Sequence, residues 1–202
     1  MSAAPVEQPH GDRSLIAEAN RIMDRLPGCR VEIIGGQILV TPSPDVAHSR
    51  ALKKVTRPFE AAGLDEDETE VHQAIGVWLP DGPEDYAIPD LCIVDADIEE
   101  HLVENNCYDP VVFRLVLEVT SSNWKADLRT KVTTYAQAKI PVYVIVDRKH
   151  QRLHVLTDPA KSEYGTHRIH APGELVTLPD SIGAKVTLDV AEILKAGQST
   201  RD

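Results

Sequence analysis

The residues of this chain best suited to chemistry are two carboxylates and a lysine. Asp90 follows Ile88-Pro89, and Glu118 stands near the end of an almost wholly apolar run, VFRLVLEVT. Beyond it Asp127, Lys131 and Tyr135 recur four apart, the spacing that puts side chains on one stripe of a helix. A Val/Ile/Leu run flanked by helical segments reads as a strand buried on both faces, where an ionised Glu must be paired or bind a metal to offset its desolvation. Pro89 removes a backbone donor and fixes φ, so Asp90 is presented at a strand entrance. Two carboxylates converging from neighbouring strands, with the Val119 carbonyl between them, form the oxygen cage that Mg²⁺ or Mn²⁺ prefers. As like charges sharing a site, they also repel each other. Lys131 beside them would orient a water and stabilise charge on a phosphate; the plainer reading is an exposed pair with Asp127 worth a few tenths of a kcal/mol. Thr120 shares a strand face with Glu118.

The elements that must hold these residues follow from the pattern around them. Apolar positions from Leu15 to Leu26 recur at helical spacing until Pro27-Gly28. RVEII and QILVT, joined by Gly35-Gly36, predict a hairpin. Asp45 is a candidate cap for a helix through His48 toward Ala62, with Pro58 as a kink or early end. Strands are expected at 70–79, 91–95, 111–120 and 142–147, a short helix at 97–104 and a longer one at 124–138. Short β pieces at 153–157, 166–170, 175–178 and 185–188 and a helix near 190–195 close the chain. The expected organisation is an N-terminal tail over residues 1–11, a single α/β domain with a mixed sheet over 12–196, and a tail over 197–202.

Composition limits the functions open to it. The 202 residues are 42% hydrophobic and 26% charged, enough for one real core. No apolar run approaches the ~18 residues of a membrane span, and the opening MSAAPVEQPHGD lacks a signal peptide's pattern; a cytoplasmic protein is expected, with no membrane partner. Cys29, Cys92 and Cys107 lack C-x-x-C spacing and read as small buried apolar residues. Common hydrolase, nucleotide-binding and zincin signatures are absent. His150, His154, His167 and His170 read as ordinary surface histidines.

The net charge of −11 argues against a nucleic-acid partner, but its distribution softens the argument. Residues 60–118 hold seventeen acids against Arg114 alone, whereas residues 123–152 hold seven Lys and Arg against Asp127 and Asp147. Nucleic acid, if bound, is therefore expected at the basic segment, with Lys125 and Arg129 in contact. A homodimer framing a duplex with two such faces is compatible with this pattern, although no coiled-coil or zipper repeat specifies one.

Asp90, Glu118, Asp127, Lys131 and Tyr135, in the frame PD…LEVTSS…D…K…Y followed by IPVYVIVD, resemble the Uma2 family, also catalogued as DUF820. The likeness extends upstream through VEIIGGQILVTPSPDVAHSR and downstream to LDVAEIL, nearly the whole chain. It implies a PD-(D/E)xK restriction-endonuclease-like fold: a mixed central sheet flanked by helices, with an N-terminal helix and hairpin and short C-terminal strands. It further implies Asp90 and Glu118 as metal ligands, Lys131 as a catalytic lysine moved from the strand to the helix, and Glu32 and His48 as supporting residues. Thr120 occupies the strand position where the wider superfamily has its lysine, and Gln37 stands where the family's hairpin commonly has an acid. The implied activity is Mg²⁺- or Mn²⁺-dependent phosphodiester hydrolysis, with DNA as the expected substrate; the alternative is a catalytically silent nuclease-fold binding or regulatory module.

Overall fold

A computed structural model describes residues 14–120 and 126–199, with the side chains of 126 and 127 left out. Helix α1 (Leu15–Arg25) is capped by Ser14, whose hydroxyl accepts from the Ala17 N–H. The hairpin of β1 (Arg30–Ile34) and β2 (Gln37–Thr41) turns at Gly35 and Gly36, both at positive φ (60° and 68°), which side-chain-bearing residues seldom adopt. Helix α2 (Val46–Ala61) buries Ala47, His48, Ala51, Val55 and Phe59 at helical spacing. Asp45 caps it by accepting from the His48 N–H at 2.6 Å. Pro58 does not end it early: it lies in the last turn, and the helix continues to Ala61.

Strands β3 (Thr69–His72), β4 (Gly76–Trp78), β5 (Tyr86–Ala87), β6 (Leu91–Asp95), β7 (Leu102–Glu104), β8 (Cys107–Tyr108) and β9 (Phe113–Val119) follow. A π-helical turn (Ala126–Thr130) leads into α3 (Lys131–Gln137). The chain closes with β10 (Val142–Asp147), β11 (Arg152–Ala160), β12 (Glu163–His170), β13 (Leu175–Thr177), β14 (Thr187–Asp189) and α4 (Val190–Ala196).

The central sheet runs β12-β11-β10-β9-β6-β3, and β9 with β10 is its parallel pair. That pair needs a crossover, and the crossover carries α3. The sheet is covered on both faces, which is why β9 and β10 read as continuous apolar runs. Leu115, Leu117, Val119, Val144 and Val146 pack with Ala51, Val55 and Phe59 of α2 and Ile193 and Leu194 of α4. Val116, Tyr143 and Ile145 pack with Tyr135 and Ala136 of α3. A second sheet, β2-β1-β5-β4-β8-β7, rests on α1 through Val31, Ile33 and Ile16.

The expected strand over 70–79 is two strands in different sheets. Ala74, at φ 57°, turns the chain between them, a conformation unusual for a residue with a Cβ and invisible to an alternation pattern. The expected helix over 97–104 is a 3₁₀ turn (Ile98–His101) followed by β7. The C-terminal pieces at 153–157 and 166–170 are parts of longer paired strands. Among the cysteines, Cys92 and Cys107 are buried as expected, while Cys29 is only partly so.

Candidate active site

Strands β6, β9 and β1 and helix α3 meet at the end of the central sheet. The antiparallel register pairs Leu91 of β6 with Leu117 of β9, so Asp90 and Glu118, one step further along each strand, face each other. Since side chains alternate along a strand, Glu118 projects with Val116 toward the α3 face, as does Ile145 beside it. On α3, Lys131 and Tyr135 lie one turn apart and both are buried. On β1, Val31 and Ile33 face the α1 core, leaving Arg30 and Glu32 on the opposite face, toward the carboxylates. The connector 88–90 joins the two sheets, and the Ile88 N–H donates to Glu32 Oε1 at 2.8 Å.

Charges alternate in a row through this cluster. The Lys131 ammonium donates to Glu32 Oε1 at 2.9 Å and to Glu118 Oε1 at 2.7 Å. The Tyr135 hydroxyl donates to the same Glu118 oxygen at 2.9 Å. Arg30 Nη2 donates to Asp90 Oδ1 at 2.7 Å, and its Nη1 lies 3.9 Å from Glu118 Oε2. Asp90 Oδ2 accepts from the Val119 N–H at 2.8 Å, and His48 Nε2 is 3.5 Å from Asp90 Oδ1. Glu32, Asp90, Glu118 and Lys131 are each no more than 4% exposed; charges so buried persist only when paired.

The field of the cluster shifts its titrations. Burial alone would raise the Asp90 pKa, but the His48 imidazole, the Arg30 guanidinium and the Val119 N–H outweigh it and hold the carboxyl at about 2. Burial works against the Arg30 charge, yet Asp90, Glu118 and Glu32 more than compensate, so the guanidinium is held protonated even more firmly than usual. Burial, then the Glu118 carboxylate, push the Tyr135 phenol well above its ordinary value, keeping it a neutral donor.

A cavity of about 720 Å³ opens onto the cluster, with Arg30, Glu32, His48, Asp90, Glu118 and Lys131 in its wall. His48 Nδ1 is buried and has no hydrogen-bond partner among the described residues.

The structure thus brings Asp90, Glu118, Lys131, Glu32, His48 and Tyr135 together, and Val119 lines the same cavity. Thr120 is directed elsewhere: its hydroxyl accepts from the Arg148 N–H at 2.9 Å and anchors the turn after β10. Lys125 and the side chain of Asp127 lie outside the described residues. Of the expected helix over 124–138, the described part opens with the π turn Ala126–Thr130 and continues as α3 to Gln137. Arg129 is exposed on that turn.

Sequence reasoning missed Arg30, whose signal was its place two residues before Glu32, on the same strand face. It also misjudged His154, which is buried with 7% exposure, its Nδ1 lying 2.9 Å from His167 Nε2 and its Nε2 3.6 Å from Asp147 Oδ2. That burial follows from β11 lying inside the sheet between β10 and β12.

Comparison with solved structures finds a similar protein, described as a "putative nuclease belonging to DUF820" from Anabaena variabilis ATCC 29413. The match has a TM-score of 0.59 at 14% identity and covers 83% of this chain and 91% of that one, a likeness of fold. Comparison with curated proteins gives no match. The family model Uma2, described as "putative restriction endonuclease", matches residues 17–191. With that match spanning most of its length and the expected fold and cluster in place, the chain belongs to the Uma2 family.

Proposed function

We propose that the protein is a metal-dependent endonuclease that hydrolyses phosphodiester bonds in DNA. The observation that carries this reading is the convergence of Asp90, Glu118 and Lys131 in one buried cluster on the wall of an open cavity. The donor set suits Mg²⁺ or Mn²⁺: the carboxylates are hard oxygen ligands, and among the described residues Glu32, Asp90 and Glu118 meet the two cations Arg30 and Lys131. Asp90 and Glu118 would hold the ion, with the Val119 carbonyl as a further oxygen. A bound ion would supply a Lewis acid that activates water at neutral pH and offsets charge on the phosphate.

The chain's own residues do the rest. Glu32 and Glu118 fix the Lys131 ammonium in one place, so its charge faces the reacting phosphate without reorganisation. Tyr135, held neutral, donates to Glu118 and fixes that carboxylate's orientation. Burial of the cluster lowers the effective dielectric in which these charges act. The basic segment after Glu118, including the exposed Arg129, offers phosphates an approach through an otherwise acidic molecule.

A second reading, a silent nuclease-fold module, draws on one observation. Among the described residues no group of three or more His, Cys, Asp or Glu is arranged to hold a metal, and Arg30 and Lys131 stand among the carboxylates. Calorimetric titration with Mn²⁺ separates the readings. The nuclease reading expects weak binding by the wild type that is lost in Asp90→Ala and Glu118→Ala at matched folding; equal affinity in wild type and Glu118→Ala would remove the site.

A further inference from the structure

The Arg30 guanidinium stands where two strand carboxylates would share a cation. Its Nη2 is 2.7 Å from Asp90 Oδ1 and its Nη1 is 3.9 Å from Glu118 Oε2, so one planar fork addresses one oxygen of each. The other oxygens are committed to the protein: Asp90 Oδ2 to the Val119 N–H, and Glu118 Oε1 to Lys131 and Tyr135. The two oxygens turned toward Arg30 are Asp90 Oδ1, which His48 Nε2 also approaches at 3.5 Å, and Glu118 Oε2. The two cations of the cluster also differ in freedom. The Lys131 side chain is 4% exposed and locked between two carboxylates, whereas the Arg30 side chain is 23% exposed, starts at the first residue of β1 and lines the cavity. A long, partly solvated guanidinium can leave by rotating its stem; the buried ammonium cannot.

We propose that Arg30 is a built-in competitor for the divalent cation, holding Asp90 and Glu118 together in the metal-free protein and having to swing out of the carboxylate pair before metal can bind. The proposal rests on the reading of Asp90 and Glu118 as metal ligands. It accounts for how two carboxylates, each at most 3% exposed, remain stable side by side without an ion: the guanidinium supplies the charge a metal would otherwise bring. It also makes Arg30 the residue that sets how much metal is needed to assemble the site. A positioning residue with this role has opposite effects on two quantities. Removing its charge weakens the metal-free fold and strengthens metal binding, whereas loss of a merely structural contact would weaken both.

The test is Mn²⁺ affinity by titration calorimetry for wild type, Arg30→Met and Arg30→Gln, with melting temperatures measured in chelator and in saturating Mn²⁺. Both variants should melt lower than wild type in chelator, gain more from Mn²⁺ and bind it about tenfold or more tightly, the low end of what one neighbouring charge does to a protonation equilibrium. Variants that bind while the wild type does not would also support the proposal. Equal or weaker affinity in either folded variant, or no binding by any of the three, overturns it. A measurement on the wild type needs no variant: the guanidinium NMR signals of Arg30 should lose their hindered rotation as Mg²⁺ is added, and signals unchanged at saturation would contradict displacement. Tighter metal binding without any DNA cleavage would retire the nuclease reading and leave Arg30's role standing; cleavage with unchanged affinity in Arg30→Met would do the reverse.

Discussion

Replacing Lys131 with Met distinguishes a buried charge hub from a helix-surface lysine. The ammonium is 4% exposed and within hydrogen-bond reach of Glu32 Oε1 and Glu118 Oε1. An exposed helical pair would cost a few tenths of a kcal/mol, whereas removing one partner of a buried pair costs about 3–5 kcal/mol. Among the described residues the Ile88 N–H still donates to Glu32 and the Tyr135 hydroxyl to Glu118, with Arg30 Nη1 3.9 Å from Glu118 Oε2, so the expected loss is at the low end, about 3 kcal/mol. Met approximates the volume of the lysine stem and leaves little cavity to confuse the reading. Urea unfolding in chelator at neutral pH gives the value, with an unchanged m showing that both states stay comparable. Glu118→Gln and the double variant complete a cycle whose coupling should exceed about 1 kcal/mol. A loss below about 1 kcal/mol with additive effects would show that Lys131 does not neutralise these carboxylates and would undercut its assignment.

Two further expectations concern acid and salt. Burial, aided by His167 and opposed by Asp147, depresses the His154 pKa from 6.5 to about 4. The unfolded chain therefore binds more protons at this residue between these values, so the His154 contribution to stability should be constant above about pH 6.5 and fall by up to ~3 kcal/mol as pH drops toward 4; His154→Gln should flatten that slope, and an unchanged slope in the variant would exclude this residue. Nucleic-acid binding should weaken steeply with salt, and Arg129→Glu should reduce it more than Lys185→Glu, since Arg129 lies on the turn leading to Lys131; equal effects in a fluorescence anisotropy titration would remove the directional claim.

What the sequence revealed and what it hid have physical reasons. β9 and β10 were legible because a strand covered on both faces must be apolar throughout, and an acid near the end of such a run is conspicuous. The hairpin was legible because Gly35-Gly36 supplies the positive φ its turn requires. Asp90 and Glu118 read as a repelling pair because their counter-charge, Arg30, lies sixty positions from one of them in sequence, and a register across two sheets cannot be read from local spacing. The repulsion expected between them is offset by Arg30 and Lys131, and loss of Asp90 removes the hydrogen-bond partner of the guanidinium and of the Val119 N–H. The turn at Ala74 and the π turn before α3 escaped notice because each departs from the period that pattern reading assumes.

The most direct measurement is single-turnover cleavage of duplex and single-stranded DNA, with and without Mg²⁺ or Mn²⁺, by wild type, Asp90→Ala and Lys131→Ala at matched folding. Wild type should cleave only with metal, and Asp90→Ala should not cleave. Lys131→Ala should still bind metal and DNA while its rate at saturating metal falls roughly a hundredfold or more, as for loss of one preorganised electrostatic group. Wild-type cleavage no greater than that of Asp90→Ala would contradict the account in favour of the silent module.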